Sequence, residues 1–111
     1  MLYGEIRKVD FSPNVGAEIG KVRPAIIISN NTVGVLPLKI VIPITDPAAK
    51  IQSWHVPLIP SGENGLTKIS VADCFQIKSV SKNRIKQKIG VLSESELASV
   101  KIALVTVLDL I

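Results

Sequence analysis

The feature that most constrains this chain is a series of short apolar segments, each ended by turn-forming residues. These segments lie between residues 2 and 80, and Gly, Pro, Asn or Asp bounds them. Short strands at close spacing with such turns are typical of a small β-barrel or sandwich. We predict five strands, at residues 2–11, 24–29, 38–45, 52–59 and 69–80, the last bent near Ser79. The turns between them are predicted at residues 12–14, at Asn30, Asn31 and Gly34, at Asp46-Pro47 and at residues 60–65.

The C-terminal segment has a different periodicity, which predicts a helix. Ser93 followed three residues later by Glu96 forms a capping box, which marks a helix start. One face of the helix is apolar, and further apolar residues lie outside it, so a second apolar face is expected to be exposed in a monomer. The predicted core stripe is Leu97, Leu104, Leu108 and Ile111, and the residues outside it are Ile102 and Val105. A short helical turn is also predicted at residues 81–85.

Length and composition limit the class of protein. The 111 residues suffice for one domain, predicted to span residues 1–111. No apolar run reaches the roughly 20 residues of a membrane span, and charges at residues 5–10 argue against a signal peptide, so we expect a cytoplasmic protein. Hydrophobic residues make up 47% of the chain, which favours a buried subunit interface. The single cysteine, Cys74, cannot form an internal disulfide and is expected in the core.

A glycine-bounded loop with charged residues precedes the most apolar of the predicted strands. Glu18, Lys21 and Arg23 lie in this loop, and four consecutive apolar residues follow Pro24. Proline biases the preceding residue toward extended geometry, which sets where the arginine side chain begins. A guanidinium presents paired donors that match phosphate or carboxylate oxygens. Arg23 is therefore a candidate for anion recognition, and the alternative is a structural ion pair with Glu18.

A second charged feature is a basic segment at residues 78–88, which contains no acid although the net charge of the chain is only +4. Its basic residues are Lys78, Lys82, Arg84, Lys86 and Lys88. Such clustering favours binding of a polyanion through counterion release. A solvated basic turn explains it equally well, and clustering alone does not distinguish RNA, DNA and an acidic protein as partners.

Short motifs spread over the whole chain occur in the order and spacing of a known family. They are Gly4-Glu5-Ile6, Val9-Asp10, Pro13, Gly16, Glu18, Gly20, Arg23-Pro24, Ser29-Asn30, Pro43-Ile44-Thr45, His55-Val56-Pro57-Leu58, Gly65-Leu66, Ser70-Val71-Ala72, Gln76-Ile77-Lys78 and Ile89-Gly90. With these motifs the sequence resembles the MazF/PemK toxins, metal-independent endoribonucleases of type II toxin–antitoxin systems. The resemblance implies a mostly β fold with helices, a small SH3-like β-barrel of about five to seven strands with a C-terminal helix.

The resemblance also implies a set of catalytic residues, namely Arg23, Thr45 and Glu18. RNA supplies its own nucleophile, the 2′-hydroxyl, so the protein must take up a proton, stabilise charge on the phosphorane and protonate the leaving 5′-oxygen. Arg23 suits the stabilising task, Thr45 can position the phosphate, and Glu18 is either the base or a residue that orients Arg23. The implied products carry a 2′,3′-cyclic phosphate and a 5′-hydroxyl, and no metal or cofactor is expected.

The partners implied by the resemblance are single-stranded RNA such as messenger RNA, a second copy of the chain in a homodimer, and a cognate antitoxin that covers the RNA surface. The residues expected to contact RNA are Lys21, Ser29, Asp73, Phe75, Gln76, Lys78, Lys82 and Arg84. The base sequence recognised depends on the loops at residues 14–22, 46–54 and 60–67, whose shape the sequence does not predict.

Two positions depart from the family pattern. Phe75 stands where some members have an acid, and Ala17 where some have histidine or serine. Asp73 is expected to share a strand face with position 75 and so to compensate for the missing acid. Phe75 either stacks on an RNA base or fills the barrel, and the second is our expectation. His55 lies inside a predicted strand and is not expected to catalyse.

Two other functions remain open from the sequence. One is an inhibitor that binds DNA gyrase, as a barrel of similar architecture does. The other is a catalytically inactive barrel that binds nucleic acid or protein, which the departures at Phe75 and Ala17 keep open. The set of Glu18, Arg23 and Thr45 favours the enzyme, because a protein that only binds has no need of it.

Overall fold

Antiparallel strands form most of the fold. The computed structural model describes residues 1–33 and 36–111. Within these residues there are seven strands and one α-helix: β1 (Glu5–Asp10), β2 (Val22–Ile27), β3 (Leu38–Thr45), β4 (His55–Leu58), β5 (Ser70–Asp73), β6 (Lys78–Ser81), β7 (Ile85–Val91) and α1 (Glu94–Leu108). Two single-turn 3₁₀ helices, Cys74–Gln76 and Lys82–Arg84, flank β6. None of the helices described is long and apolar enough to cross a membrane.

The strands pair in the order β4-β5-β3-β2-β1-β7, and β6 also pairs with β3. Strand β3 is the branch point, because its first half (Leu38 to Val41) pairs with β6 and its last two residues pair with β5. In the described part of the chain no pairing joins β4 to β7, so the sheet stays open. The predicted mostly β fold with up to seven strands and a C-terminal helix is confirmed, but hydrogen bonds do not close it into a barrel.

The second half of the central strand β2, residues 25–27, is buried on both faces, as its run of apolar residues indicates. Successive side chains of a strand point to opposite faces. Ile26 packs with Ile42 in one apolar cluster, while Ala25, Ile27 and Val41 belong to a second cluster on the other face. The charged loop before β2 therefore precedes this buried segment by three residues.

Helix α1 covers the first of these clusters and begins at the predicted capping box. The Ser93 hydroxyl accepts from the Glu96 amide at 3.1 Å, and the Glu96 carboxylate accepts from the Ser93 amide at 2.8 Å. Leu97 and Leu104 pack against the core as predicted, together with Val100, Ala103 and Val107. Leu108 and Ile111 are exposed, so the predicted stripe is wrong there, because the helix ends at Leu108 and Asp109 turns left-handed with φ 53°.

Two strand predictions are corrected by the structure, and one further strand was not predicted. Strand β2 begins at Val22 rather than at residue 24, because Val22 and Arg23 pair with the end of β1. The predicted strand at 69–80 is two strands, separated by the turn at Cys74–Gln76 rather than bent near Ser79. The segment Ile85–Val91 is a strand, although the sequence indicated only a basic region.

Other predictions agree with the structure. Strand β3 has the predicted bounds, and the 3₁₀ helix Lys82–Arg84 lies within the predicted helical turn. At the turn after β2, the Asn30 side chain accepts from the Thr32 amide at 2.8 Å. Gly34, also predicted in that turn, lies outside the described residues.

Glu5 is a buried acid whose ionisation couples stability to pH. Its carboxylate lies 3.0 Å from Arg7 Nη1 and 3.7 Å from Lys88 Nζ. Burial raises the pKa of Glu5, but a main-chain hydrogen bond at Leu2, the Arg7 guanidinium and the charge of Lys88 together hold that pKa below its ordinary value of 4.5. The folded state therefore binds the proton more weakly than the unfolded chain does.

We expect the ionised Glu5 side chain to add to the free energy of unfolding. This contribution should be fully present above the pKa that Glu5 has in the unfolded chain, and it should be lost as the pH falls through the lower pKa of the folded state. Glu5→Gln should therefore be less stable than the wild type at pH 7, and the difference should narrow below about pH 4. Urea unfolding between pH 7 and pH 3 measures the difference in stability between the wild type and Glu5→Gln. The control is Glu63→Gln, which makes the same charge change at an exposed site. Parallel stability curves for wild type and Glu5→Gln would contradict it.

Candidate active site

Arg23 and Thr45 contact each other directly. They lie on neighbouring strands, two residues beyond the pair Ala25 and Pro43 in the β2–β3 register. Arg23 Nη1 donates to Thr45 Oγ1 at 2.9 Å, and Arg23 Nε donates to the Gly20 carbonyl at 2.9 Å. These two bonds fix the plane of the guanidinium. Arginine has five N–H donors, and these two bonds use two of them. The other three make no hydrogen bond within the described residues and can donate to an anion.

A small cavity of about 170 Å³ lies beside this pair. Its polar lining residues are Arg23, Thr45, Asp46, Lys68 and Ser70. Asp46 Oδ1 lies 2.6 Å from Lys68 Nζ. The hydrogen bond and charge of Lys68 lower the pKa of Asp46 below its ordinary 3.8, against a smaller rise from burial, and the charge of Arg23 adds to the lowering. Asp46 is therefore a carboxylate at neutral pH.

Sequence reasoning missed Asp46 and Lys68. Asp46 directly follows Thr45 and was interpreted only as the end of a strand. Lys68 comes to the cavity because β5 pairs with the end of β3, where Val71 lies opposite Thr45. Since that pairing joins segments distant in sequence, no local signal could have found Lys68.

Glu18 does not lie with Arg23 and Thr45. Its Oε1 accepts from the Val15 amide at 2.9 Å, and its Oε2 lies 4.0 Å from Lys78 Nζ. The alternative of a structural ion pair between Arg23 and Glu18 is therefore wrong for this conformation. Lys21 is exposed on the same loop and has a left-handed backbone, with φ 66°.

Glu18 instead lines a larger groove of about 440 Å³. The groove is bounded by Phe11, Ala17, Glu18, Ile19, Pro43, Phe75, Gln76, Ile77 and Lys78. Phe75 is 64% exposed and packs edge-on against Trp54, with ring centroids 5.7 Å apart. The expectation that Phe75 fills the barrel is therefore wrong. Both departures from the family pattern, Ala17 and Phe75, line this one groove.

Asp73 and Gln76 connect the charged loop to the 3₁₀ helix that follows β5. The Asp73 carboxylate accepts from the Phe75 amide and from Gln76 Nε2, each at 3.2 Å. Gln76 Oε1 in turn accepts from the Ile19 amide at 2.6 Å. Asp73 does not share a strand face with Phe75, because the strand ends at Asp73. Asp73 holds Gln76, and Gln76 accepts from the loop, so the side chains of Asp73 and Gln76 together position the loop.

The remaining predicted RNA contacts are dispersed over the surface. Ser29 and Lys82 line a separate, mostly apolar groove of about 350 Å³. Arg84 Nη1 donates to the carbonyls of Asp10 and Ser12, and so holds the end of β1. Lys88 is paired with Glu5. The basic segment is thus divided between two grooves and structural contacts, and does not form one continuous basic face.

His55 and Cys74 have structural surroundings. His55 Nδ1 accepts from the Gln52 amide at 2.9 Å, and its ring lies against Trp54. Cys74 is buried, and burial, with a smaller effect of the Asp73 charge, raises the pKa of its thiol to about 12. The predicted core position of Cys74 is confirmed. In residues 1–33 and 36–111, no group of three or more His, Cys, Asp and Glu side chains could hold a metal ion.

Comparisons with known proteins agree over almost the whole chain. Residues 3–108 match the family model described as the PemK-like, MazF-like toxin of type II toxin–antitoxin system. The endoribonuclease MazF of Staphylococcus epidermidis is 41% identical over 103 residues, which cover 91% of this chain and 85% of that protein. Endoribonuclease MazF9 of Mycobacterium tuberculosis (strain ATCC 25618 / H37Rv) is 34% identical over 116 aligned residues, covering 99% and 98%.

The fold is also similar to a solved structure. The crystal structure of MazF from Deinococcus radiodurans superposes with a TM-score of 0.83 at 25% identity, covering 98% of this chain and 96% of that one. The sequence match and the fold therefore lead to the same conclusion. The chain belongs to the family of PemK-like, MazF-like toxins of type II toxin–antitoxin systems.

Proposed function

We propose that this chain is an endoribonuclease toxin that cleaves single-stranded RNA without a metal ion. The observation that carries the proposal is the hydrogen bond between Arg23 and Thr45 at the wall of the 170 Å³ cavity. The relatives named endoribonuclease MazF support the same activity. Residues 1–111 would act as one toxin domain in the cytoplasm, where messenger RNA is available.

In the proposed reaction the 2′-hydroxyl oxygen attacks the adjacent phosphorus, and the bond from phosphorus to the 5′-oxygen breaks. The 2′-proton goes to a base, and the leaving 5′-oxygen takes a proton from that protonated base or from water, which gives a 2′,3′-cyclic phosphate and a 5′-hydroxyl. Arg23 donates hydrogen bonds to the phosphorane oxygens and to the leaving oxygen. Thr45 Oγ1 accepts from Arg23, so its own O–H can donate to the phosphate.

Glu18 is the proposed base, or else the residue that orders the loop around Arg23. To act as the base its carboxylate must leave the Val15 amide and Lys78 and turn toward the cavity. Glu18 is exposed, and the hydrogen bonds that join its loop to the rest of the protein lie on the residues after it: Ile19 donates to Gln76, and Gly20 and Lys21 accept from Arg23 and Phe11. Such a loop can adjust when RNA binds.

The larger groove is proposed to hold a base next to the scissile bond. Phe75 offers an exposed aromatic face, and Gln76 and Lys78 supply polar and positive groups beside it. Lys21, Ser29, Lys82 and Arg84 would contact more distant nucleotides, while Asp73 would act by holding Gln76.

Two protein partners are proposed, a second copy of the chain and a cognate antitoxin. Exposed apolar side chains border the 350 Å³ groove, which supports a subunit interface. They are Val33, Leu36, Leu38 and Ile40. The family is one of toxins paired with antitoxins, so an inhibitor that covers the RNA surface is expected.

Incubation of purified protein with a long unstructured RNA in EDTA tests the proposed activity. Cleavage at defined sites with 2′,3′-cyclic phosphate ends would support it, and RNA with 2′-O-methyl groups should resist. If well-folded protein binds but does not cleave diverse RNAs, an inactive binding module is the better description. Inhibition of DNA gyrase without RNA cleavage would favour the inhibitor.

Phe75→Ala should weaken RNA binding by about 1–3 kcal/mol, the usual contribution of one stacked base. Because Phe75 is 64% exposed, the stability of the protein should hardly change. Binding is measured with RNA that carries a 2′-deoxynucleotide at the cleavage site, so that it cannot be cut. Phe75→Trp should retain affinity, and Ile59→Ala, a substitution at another exposed apolar residue, should have no effect. Equal affinity for wild type and Phe75→Ala would remove Phe75 from the RNA-binding surface.

A further inference from the structure

We propose that Lys68 is a further catalytic residue, which binds the same phosphate as Arg23 and Thr45 and is held in place by Asp46. This inference rests on the proposed ribonuclease function. The juxtaposition that supports it is the lining of the 170 Å³ cavity, which contains Arg23, Thr45, Asp46 and Lys68 together.

The fold brings Lys68 to the cavity by two strand pairings. Arg23 is on β2 and Thr45 at the end of β3, and β2 and β3 are adjacent. The other edge of the β3 end pairs with β5, where Thr45 lies opposite Val71. Lys68 precedes β5 by two residues, and Asp46 follows β3 by one. Lys68 thus reaches the phosphate position from the β5 side of β3, whereas Arg23 reaches it from the β2 side.

The contact between Lys68 and Asp46 leaves donors available. A lysine ammonium has three N–H donors, and Asp46 Oδ1 at 2.6 Å takes one of them. The other two can donate to a phosphate while the ion pair stays intact. The ion pair thereby holds the ammonium in place before RNA arrives, which spares part of the entropy cost of fixing a long side chain.

The exposure of the pair argues for a role in binding rather than in stability. The side chains of Lys68 and Asp46 are 69% and 65% exposed. Exposed ion pairs contribute little to folding, because water and salt screen them. Both groups are accessible to an incoming phosphate, and removal of Lys68 should leave the protein folded.

The charge balance of the cavity also depends on Lys68. Arg23 and Lys68 are positive and Asp46 is negative, so one positive charge remains to face a phosphodiester. Without Lys68 the charges of Arg23 and Asp46 would cancel, and Asp46 would repel the phosphate. Negative charge on the phosphoryl oxygens grows in the transition state, so Lys68 would assist the reaction as well as binding.

The test compares wild type, Lys68→Ala, Lys68→Arg and Lys101→Ala, the last a lysine on α1 that lies over the Tyr3 ring. Cleavage is measured in EDTA on an RNA with one mapped site. Binding is measured at several salt concentrations on the same RNA with 2′-deoxyribose at that site. We expect kcat/KM of Lys68→Ala to fall about 10- to 100-fold, and the slope of log affinity against log salt to decrease in magnitude by about 0.7. Lys68→Arg should recover most of the loss, and Lys101→Ala should match the wild type.

A neutral phosphate identifies the contact. When a methylphosphonate replaces the scissile phosphate of the uncleavable RNA, wild type and Lys68→Ala should bind equally, because the partner of Lys68 is gone. Asp46→Asn keeps the Lys68 ammonium but removes the ion pair that holds it in place. The kcat of this variant should therefore fall, while its slope of log affinity against log salt should equal that of the wild type. Asp46→Glu should restore kcat.

Each contrary outcome has a distinct meaning. If the wild type neither cleaves nor binds any RNA, the proposed function itself fails. If the wild type is active and Lys68→Ala equals it in kcat/KM and salt slope, the proposal for Lys68 is overturned. It is also overturned if Lys68→Ala still binds the methylphosphonate RNA more weakly than the wild type does, since Lys68 would then contact another phosphate. Thermal unfolding of each variant shows that a loss of activity is not a loss of fold.

Discussion

Arg23→Ala is expected to lower RNA cleavage by about 10²- to 10³-fold while the protein stays folded. The substitution removes the guanidinium that faces the cavity and leaves Thr45 without its hydrogen-bond donor. Arg23→Lys should recover little. The guanidinium of Arg23 donates through Nε to the Gly20 carbonyl and through Nη1 to Thr45, and its remaining donors can still bind the substrate. The single ammonium of a lysine cannot make all of these bonds at once.

The measurement is the cleavage rate at saturating RNA in EDTA, with circular dichroism and thermal unfolding to show that each variant is folded. Thr45→Val, which keeps the shape of the side chain but loses the hydroxyl, should reduce the rate by a smaller factor. Lys101→Ala changes the net charge of the chain as Arg23→Ala does, and should cleave like the wild type. Arg23→Ala with more than a tenth of wild-type activity would remove Arg23 from the catalytic site.

Asn64→Ala is expected to destabilise the protein by about 2–4 kcal/mol. Asn64 is fully buried in the turn between β4 and β5. Its Oδ1 accepts from the amides of Ser61 and Leu66, each at 3.0 Å. Its Nδ2 donates to the Ile59 carbonyl at 2.8 Å and to Glu96 at 3.0 Å. The substitution would remove all four bonds and leave the Leu66 amide buried without a partner.

The same side chain links the turn to the helix, because Glu96 also completes the capping box with Ser93. Asn64→Asp should not rescue stability, since it would place a second carboxylate against Glu96. Urea unfolding at pH 7 measures the effect, and Asn83→Ala on the surface should lie within about 0.5 kcal/mol of the wild type. An Asn64→Ala protein of wild-type stability would show that water replaces the lost bonds.

Features with a local cause were predictable. The bounds of β3 follow from a mostly apolar segment ended by Asp46-Pro47, and the start of α1 follows from the Ser93–Glu96 capping box. The importance of Arg23 followed from its position before Pro24 and a buried strand. Each of these signals acts within a few residues, so no knowledge of the remaining chain was needed.

Features that depend on pairing between distant segments were not predictable. The sequence of strand β7 does not alternate regularly between apolar and polar residues, because its pairing with β1 is interrupted by register shifts on either side of Arg7. The break between β5 and β6 depends on Asp73, whose carboxylate accepts from the Phe75 amide and starts a 3₁₀ turn. The exposure of Phe75 follows from that break, and the family pattern alone gave no indication of it.

The sequence by itself determined the family, the mostly β fold with a capped C-terminal helix, and Arg23 and Thr45 as the residues to examine. These properties reside in short motifs and in the order in which they occur. Only the tertiary structure decided that Arg23 contacts Thr45, that Glu18 lies in a separate groove, and that Lys68 and Asp46 complete the cavity. The reason is physical. A site built from the ends of three strands exists only when their register is set, and that register is determined by packing and hydrogen bonding across the whole sheet.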